Sequence, residues 1–219
     1  MKSAKIRIFE QLAGLARVLG HAYRLELLEH VSQGGRSVEN LARLIGQSIA
    51  NTSAHLQQLR RGGFVETQRD GKRIIYRLSD GPVIPLLAAL RIYGERNRTD
   101  VRDLVSEYFE KLDRFEPLSR EELTKRIAKR SVTLLDVRPD DEFALGHLPG
   151  AINMPLAELK RRLGELPKNR EIVAYCRGAY CIMSFEAVAV LRAKGYRGRR
   201  LEDGFPEWKA AGLAVEATA

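Results

Sequence analysis

Both cysteines of the chain lie in one stretch, Glu171-Ile172-Val173-Ala174-Tyr175-Cys176-Arg177-Gly178-Ala179-Tyr180-Cys181. The apolar run from Ile172 to Tyr175 predicts a short buried strand, and apolar residues at helical spacing after Cys181 predict a helix. The residues from Cys176 to Cys181 are therefore expected to form a loop between the end of a strand and the start of a helix.

A loop in this position favours a reactive thiol at its first residue. Its backbone N–H groups and the positive end of the helix dipole can stabilise an anion. Such stabilisation lowers the pKa of Cys176 and makes it a nucleophile near neutral pH. Gly178 is expected to allow the tight backbone path without a Cβ clash. The alternative is that Cys176 and Cys181 are buried and unreactive, as free cysteines often are.

The loop resembles the active-site loop of the rhodanese family, and three further segments match that family in order over about residues 117–216. They are Leu134-Leu135-Asp136-Val137-Arg138, which is similar to the first core strand; Gly146-His147-Leu148-Pro149-Gly150-Ala151-Ile152-Asn153-Met154-Pro155, the G-H-x-x-G-A-x-N-x-P signature; and Asp203-Gly204-Phe205-Pro206-Glu207-Trp208, the closing G-x-x-x-W segment. The resemblance implies an α/β domain with a parallel sheet at residues 117–219.

The rhodanese resemblance also implies roles for the loop residues. Cys176 is the sulfur acceptor, which becomes a persulfide cradled by the loop amides. Cys181 takes the sixth position, where sulfurtransferases often have Arg, Lys, Ser or Thr. This departure suggests a dithiol switch in place of ordinary thiosulfate chemistry. Gly178 and Arg177 complete the predicted catalytic set, with Arg177 either holding an anionic sulfur donor or remaining a solvated charge.

Other polar residues of this half have structural interpretations beside catalytic ones. His147 is either a general base for Cys176 or, as is more common at this place in the rhodanese signature, a structural residue. Asp136 and Arg138 are expected to pair locally. Chemistry of the C-x5-R type, as in tyrosine phosphatases and arsenate reductases, is disfavoured because Ile182 stands where its arginine should be.

The N-terminal half predicts a run of helices followed by a β-hairpin. The predicted elements are helices at 4–19 and 21–31, helices that begin at Ser37 and after the N-cap Ser48, and strands at 64–68 and 73–78. Asp70-Gly71, between the two strands, is a strong hairpin signal. This order is typical of a winged helix-turn-helix, whose second helix enters the major groove of DNA.

This half resembles the ArsR/SmtB family of dimeric bacterial repressors over about residues 5–98. The matching segments are Arg24-Leu25-Glu26-Leu27-Leu28, Ser53-Ala54-His55-Leu56-Gln57-Gln58-Leu59, Gly63-Phe64-Val65 and Gly71…Tyr76-Arg77-Leu78. We predict that the DNA-binding residues are Ser48, Asn51, Ser53, His55, Gln57, Arg69, Lys72 and Arg73. His55 is expected to pack or anchor the recognition helix more than to read a base.

The metal sites of the ArsR/SmtB sensors are missing from this sequence, because residues 40–44 contain no cysteine and residues 82–112 contain no histidine. We therefore predict neither a metal nor a cofactor. The helix opened by Pro82 is expected, by resemblance, to pair with the first helix and build a homodimer. The alternative is that its apolar residues only cap the core of their own domain.

Charge and composition agree with a protein that binds a polyanion with one half. Residues 1–99 carry 16 Lys and Arg against 8 Asp and Glu, a net charge of +8, and residues 100–219 carry +1. The excess positive charge is therefore expected to face DNA, although a solvated basic surface is the alternative. No apolar run is long enough to span a membrane, the first residues lack a signal-peptide core, and the cysteine usage indicates a reducing, cytoplasmic location.

These observations predict an α/β protein of two domains. Residues 1–98 form a mostly helical winged helix-turn-helix, 99–116 a connecting helix and linker, and 117–219 the rhodanese domain. The predicted function is a transcriptional regulator, a repressor that binds operator DNA and senses sulfane sulfur or a thiol-reactive small molecule at Cys176 and Cys181. The alternatives are a rhodanese-type sulfurtransferase with a DNA-tethering domain, a soft-metal or arsenite sensor that uses both thiols, and an unreactive interaction module.

Overall fold

The computed structural model describes residues 2–110 and 117–217, with the backbone alone at 109 and 110. The chain divides into two units, Met1–Val83 and Ile84–Ala219. Among the residues described, no helix has the length and apolar character needed to span a membrane.

The N-terminal unit is helical and ends in a hairpin. Its elements are α1 (Ala4–Leu19), α2 (Ala22–Ser32), β1 (Arg36–Ser37), α3 (Val38–Leu44), α4 (Ile49–Arg61), β2 (Val65–Asp70) and β3 (Arg73–Leu78). Fully buried leucines hold the helices together: Leu27, Leu28, Leu41, Leu56 and Leu59. The predicted order of helix, turn, helix and hairpin is confirmed.

Serine side chains begin the two helices of the DNA-binding motif, as predicted. The Ser37 hydroxyl accepts from the amide of Asn40 at 3.4 Å, and the Ser48 hydroxyl accepts from the amide of Asn51 at 3.2 Å. Each bond satisfies an amide that the first turn of a helix would otherwise leave without a partner. The bends between these helices are therefore fixed by local chemistry.

The hairpin is longer than predicted and gains a third strand. β2 continues to Asp70, which pairs with Arg73, so the turn is formed by Gly71 and Lys72. Gly71 has a φ of +57°, which favours glycine because it lacks a Cβ atom. β1 pairs with the outer side of β3 and gives the order β1-β3-β2, a pairing that two residues are too few to reveal in a sequence.

Helix α5 (Val83–Asn97) begins directly after Pro82, as predicted, and α6 (Thr99–Val105) leads into a π-helical turn at Ser106–Glu110. All but the first residue of α5 belong to the second unit, whereas the sequence analysis assigned residues up to 98 to the DNA-binding domain. The rest of the predicted connecting helix and linker, residues 111–116, lies outside the described residues. The domain limits at 98 and 116 therefore stay predictions.

The remainder of the second unit is an α/β domain. Its elements are α7 (Arg120–Ala128), β4 (Val132–Asp136), α8 (Asp140–Leu145), β5 (Ile152–Asn153), α9 (Leu156–Arg162), a 3-10 turn at Leu163–Glu165, β6 (Glu171–Tyr175), α10 (Ile182–Ala193), β7 (Gly198–Arg200) and α11 (Phe205–Ala210). The four strands are parallel and stand in the order β5-β4-β6-β7. The predicted parallel sheet is confirmed.

Both faces of this sheet are covered. Alternate residues of a strand point to opposite faces, and β6 is packed on each. Ile172 and Ala174 pack in one apolar cluster with residues of α9 and α10. Val173 and Tyr175 pack in the other, with residues of α7 and α11. β6 is therefore a central strand, buried on both sides, as its continuous apolar run predicts.

Asp136 and Arg138 form a fully buried ion pair, which confirms their structural interpretation. The Arg138 Nη2 donates to Asp136 Oδ2 at 2.6 Å and to the carbonyl oxygen of Gly146 at 2.7 Å. The guanidinium carbon lies 4.3 Å from the ring centroid of Phe205. A buried charge is costly unless it is paired and hydrogen-bonded, so this arginine ties the signature segment and the closing segment to β4.

Candidate functional site

The loop that carries both cysteines joins β6 to α10, as the sequence predicts. β6 ends at Tyr175, and Cys181 is the N-cap residue of α10. Cys176 is 1% exposed and Cys181 is 8% exposed. Both side chains are therefore screened from bulk solvent, at the carboxyl end of an internal strand.

Cys176 and Cys181 are joined by a disulfide, with their Cα atoms 6.2 Å apart. The loop is closed by a hydrogen bond of 3.1 Å from the amide of Cys181 to the carbonyl oxygen of Gly178. The Ser184 hydroxyl donates to the carbonyl oxygen of Cys181 at 3.0 Å and ties the first turn of α10 to the loop. The loop is therefore curled so that the two sulfurs can meet, which is the geometry that thiol–disulfide exchange requires.

The closing segment packs directly against the backbone of the loop. A Cβ atom on Gly204 would lie 2.3 Å from the amide nitrogen of Gly178 and 2.4 Å from the carbonyl carbon of Arg177, so only glycine fits there. The amide of Phe205 donates to the carbonyl oxygen of Cys176 at 3.0 Å. The predicted need for glycine at Gly178 is wrong, because Gly178 has no positive φ and a Cβ atom on it would make only an ordinary contact of 3.7 Å.

Two amides in the middle of the loop are not used by the protein's own acceptors. The N–H groups of Gly178 and Ala179 donate to no acceptor within residues 2–110 and 117–217. The first turn of α10, a helix of 12 residues, adds the positive end of its dipole. Free amides and a helix N-terminus are features that can stabilise an anion.

Arg177 is held by a carboxylate of the neighbouring helix. Its Nη2 lies 2.8 Å from Glu142 Oε1, and its Nε lies 3.1 and 3.0 Å from the two carboxylate oxygens. Glu142 is buried in the first turn of α8. The guanidinium therefore anchors the loop to α8, and an anionic donor would have to compete with Glu142 for it. It is not a solvated loop charge, which corrects that alternative.

His147 has the contacts of a structural residue. Its Nδ1 lies 2.9 Å from the carbonyl oxygen of Phe143, and its ring stacks on Phe143 with centroids 3.7 Å apart. Its Nε2 lies 3.7 Å from a carboxylate oxygen of Glu216. The contact of Nδ1 and the stacking on Phe143 hold the ring in place, so the arrangement favours the structural interpretation over a general base for Cys176.

Three acidic or phenolic residues at the loop escaped the sequence analysis. Glu207 accepts from the amide of Gly204 at 3.0 Å, and burial, helped by the charge of Asp203, raises the pKa of its carboxyl. The Tyr180 hydroxyl donates to Glu95 Oε1 at 2.6 Å. The capping-box spacing of Gly204 and Glu207 could have revealed the first contact, whereas no local signal connects Tyr180 with a residue 85 positions away.

Helix α4 presents its predicted DNA-reading side chains unequally. Asn51 is exposed in the first turn, beside the capping residue Ser48, whereas the apolar face of the helix is buried. Ser53 is half-buried, and the Gln57 amide nitrogen lies 3.4 Å from the hydroxyl of Tyr76. Of the predicted DNA-binding side chains within α4, Asn51 is the exposed one.

His55 packs against α2, in line with the expectation that it anchors the helix. Its ring centroid lies 4.3 Å from that of His21 and 6.0 Å from that of Tyr23. Burial lowers the pKa of His55, and the neighbouring His21 and Arg24 lower it further. Throughout the part of the chain that the structure describes, no three His, Cys, Asp or Glu side chains are grouped as a metal site requires.

The hairpin carries its basic residues on the outside. Arg69, Lys72 and Arg73 are all exposed at or beside the turn, and the Arg69 Nε donates to the carbonyl oxygen of Gly71 at 3.1 Å. A concentration of exposed cations at the end of a two-stranded ribbon suits contacts with DNA phosphates.

Comparisons with known proteins match both halves of this architecture. The family model for a helix-turn-helix domain matches residues 19–68, and that for a rhodanese-like domain matches residues 119–211. An HTH-type transcriptional regulator of Mycobacterium tuberculosis is 41% identical over 212 residues, which cover 97% of this chain and 93% of that protein. This chain belongs to that family of transcriptional regulators.

Two further relatives each match one half of the regulator. A sulfurtransferase of Allochromatium vinosum is 35% identical over 102 residues, covering 46% of this chain and 94% of that protein. The homodimeric winged helix-turn-helix domain of a possible ArsR-family regulator from Mycobacterium bovis is 31% identical, covering 46% of this chain and 93% of that one, with a TM-score of 0.42. The two family models and the regulator of Mycobacterium tuberculosis confirm the predicted fusion of a helix-turn-helix regulator to a rhodanese domain.

Proposed function

We propose that this regulator is a repressor whose operator binding is controlled by sulfane sulfur, or by another thiol-reactive species, at Cys176 and Cys181. The observation that carries the proposal is the curled loop, which brings both cysteines of the chain together beside unused amides. The same polypeptide carries the helix-turn-helix motif. A sensor and a DNA-binding element are therefore covalently linked.

The proposed reaction is a two-electron oxidation of the dithiol by a polysulfide. The Cys176 thiolate attacks a sulfane sulfur, which leaves a persulfide on Cys176 and a polysulfide shorter by one sulfur. The Cys181 thiolate then attacks the inner sulfur of the persulfide, closes the disulfide and releases hydrosulfide. Both steps are ordinary thiol–disulfide exchange. Excess thiol reduces the disulfide back to the dithiol.

The regulator is proposed to act as a homodimer. Helix α1 has a single buried residue, Leu19, and leaves a row of large apolar side chains exposed: Ile6, Ile8, Phe9, Leu12 and Leu15. An unpaired apolar face of this length favours a second copy of the chain, and two copies supply the paired recognition helices that a palindromic operator needs. Light scattering of the full chain should show a dimer, and Leu12→Glu should shift it towards the monomer.

The direct test combines chemistry and DNA binding on one sample. The reduced full-length protein is treated with polysulfide, its intact mass is measured, and the same sample is titrated with DNA from upstream of its own gene. The proposal expects loss of two protons or gain of sulfur, together with a changed affinity for the DNA. An altered mass with unaltered affinity would contradict it.

A second candidate function is sulfurtransferase catalysis with a DNA-tethering domain. It is favoured by the 35% identity to a sulfurtransferase across 94% of that protein's length. It requires that a thiol acceptor removes the outer sulfur of the Cys176 persulfide faster than Cys181 closes the disulfide. Turnover measured with a sulfane-sulfur donor and a low-molecular-weight thiol distinguishes the two, because a sensor closes its disulfide within a single turnover.

A further inference from the structure

Tyr180, in the loop, is bound to a helix far away in sequence. It directly precedes Cys181, and its hydroxyl donates to Glu95 Oε1 at 2.6 Å. Glu95 lies in α5, two residues before the helix ends at Asn97. Burial raises the pKa of Tyr180, and the carboxylate of Glu95 raises it further, so the phenol stays a hydrogen-bond donor at neutral pH.

A second residue of α5 contacts the other side of the same site. Arg91, four residues before Glu95, lies 3.5 Å from that carboxylate and 3.7 Å from Asp203. Its guanidinium carbon is also 5.9 Å from the ring centroid of Tyr180. Asp203 directly precedes Gly204, against which the loop packs. Helix α5 therefore contacts both the loop and the segment that supports it.

We propose that α5 reads the redox state of the Cys176–Cys181 pair through the hydrogen bond between Tyr180 and Glu95. The inference rests on the proposed function for its biological meaning, and it names the element that carries the signal. The disulfide fixes Cys181 next to Cys176, and with it the backbone of Tyr180. Opening the disulfide frees this constraint.

The hydrogen bond is suited to this task because its strength falls steeply with distance and angle. It forms in the disulfide state that the structure holds, and a small displacement of the loop weakens it. The contact then has a different free energy in the two redox states, which is the condition for shifting a conformational equilibrium. Residues 79–82 join the end of β3 to the start of α5, so α5 is the element of the second unit that follows the hairpin directly in the chain.

The first experiment tests the link without DNA. Full-length wild type, Tyr180→Phe and Tyr93→Phe are equilibrated in glutathione redox buffers, and the fraction of disulfide is read by alkylation and intact mass. Tyr93 is the matched control, because its hydroxyl lies on α5, on a largely exposed residue, and takes part in no described hydrogen bond. We expect Tyr180→Phe to move the equilibrium towards the dithiol by about fivefold, the size of one ordinary hydrogen bond.

An unchanged equilibrium in Tyr180→Phe, or an equal change in Tyr93→Phe, would overturn the proposal.

The second experiment measures the Kd for upstream DNA of each protein, fully reduced and fully converted to the disulfide. In wild type and Tyr93→Phe the ratio of the two values should be alike, and in Tyr180→Phe it should fall towards one, by about fivefold. Where the wild-type ratio differs from one, an equal ratio for Tyr180→Phe would overturn the proposal.

The two readouts separate this inference from the proposed function. A wild-type Kd that is the same in both redox states contradicts redox control of DNA binding. The glutathione equilibrium still decides whether α5 and the loop are coupled, because that measurement contains no DNA.

Discussion

The amide nitrogen of Gly178 lies so close to Gly204 that a Cβ atom on residue 204 would be 2.3 Å from it. The space between the loop and the closing segment is therefore too small for even one methyl group. Glu207 completes the arrangement by accepting the amide of Gly204. The position of the sulfurs thus depends on a backbone contact that is made 28 residues after Cys176 in the sequence.

Gly204→Ala should displace the loop and destabilise the rhodanese domain. Inserting a methyl group into a closely packed backbone contact costs about 1–3 kcal/mol, and the disulfide should form more slowly because the loop loses its support. Urea denaturation and the rate of disulfide closure measure the two effects. Gly164→Ala is the control, since nothing lies within 4 Å of its Cβ position. Equal behaviour of the two variants would show that the contact does not shape the loop.

Arg73→Ala should weaken DNA binding for all sequences alike. Its exposed cation at the hairpin turn is expected to neutralise a phosphate, so the slope of log K against log salt should decrease by about 0.9. Arg161→Ala is the control, because it removes an exposed arginine of α9 and therefore changes the net charge by the same amount. Fluorescence anisotropy at several salt concentrations gives both slopes, and identical slopes for the two variants would remove Arg73 from the interface.

Asn51→Ala should relax the preference for the operator without lowering non-specific affinity. Asn side chains read adenine edges in the major groove, and losing such a contact costs about 1–3 kcal/mol of discrimination. The measurement is the ratio of affinities for upstream DNA and for a scrambled duplex. Asn169→Ala, in the rhodanese domain, serves as the control. A ratio that stays at the wild-type value would mean that Asn51 does not read the operator.

Glu207→Gln should change the pH dependence of stability. Burial raises the pKa of Glu207, so the folded state binds a proton more tightly than the unfolded chain does. Its contribution to stability is therefore greatest below the ordinary carboxyl range and declines as pH rises through the raised pKa. The free energy of unfolding of Glu207→Gln, relative to wild type, should rise with pH across that window. A difference that is flat with pH would contradict this.

Glu207→Ala provides the companion measurement. Glutamine retains an oxygen that can accept the amide of Gly204, whereas alanine leaves that amide without its partner. The alanine variant should therefore be less stable than the glutamine variant at every pH, by about 1 kcal/mol. Equal stability would mean that the bond to Gly204 contributes little.

The sequence predicts those features that depend on residues close together in the chain. Ser37 and Ser48 cap helices through bonds to amides three residues ahead, and the buried β6 followed by α10 is visible as an apolar run and a helical pattern. Such signals survive in a linear sequence because both partners lie within one turn or one strand.

The contacts that define the site are those the sequence could not reveal. Arg177 binds Glu142, 35 residues away, and Tyr180 binds Glu95, 85 residues away. No spacing rule joins such pairs, since the fold alone brings them together. The need for glycine was predicted at Gly178 and is found at Gly204 for the same reason. A sequence shows which residues are glycine but not which backbone approaches them.

Cys181→Ser should separate the two steps of the proposed reaction. Without its resolving thiol, the protein should keep one added sulfur on Cys176, visible in the intact mass after polysulfide treatment. Its DNA response should be slower or altered, because the disulfide cannot close. A variant that returns to its starting mass without added thiol would show that another group resolves the persulfide.

The central claim is that DNA binding responds to chemistry at Cys176, and one titration tests it most directly. The Kd for upstream DNA is measured for wild type and Cys176→Ser, each before and after polysulfide treatment. We predict that the wild-type Kd changes, by about 5- to 150-fold for a coupling of ordinary size, while Cys176→Ser binds the DNA with the same Kd in both samples. A Cys176→Ser protein whose Kd changes as much as that of wild type would contradict the account.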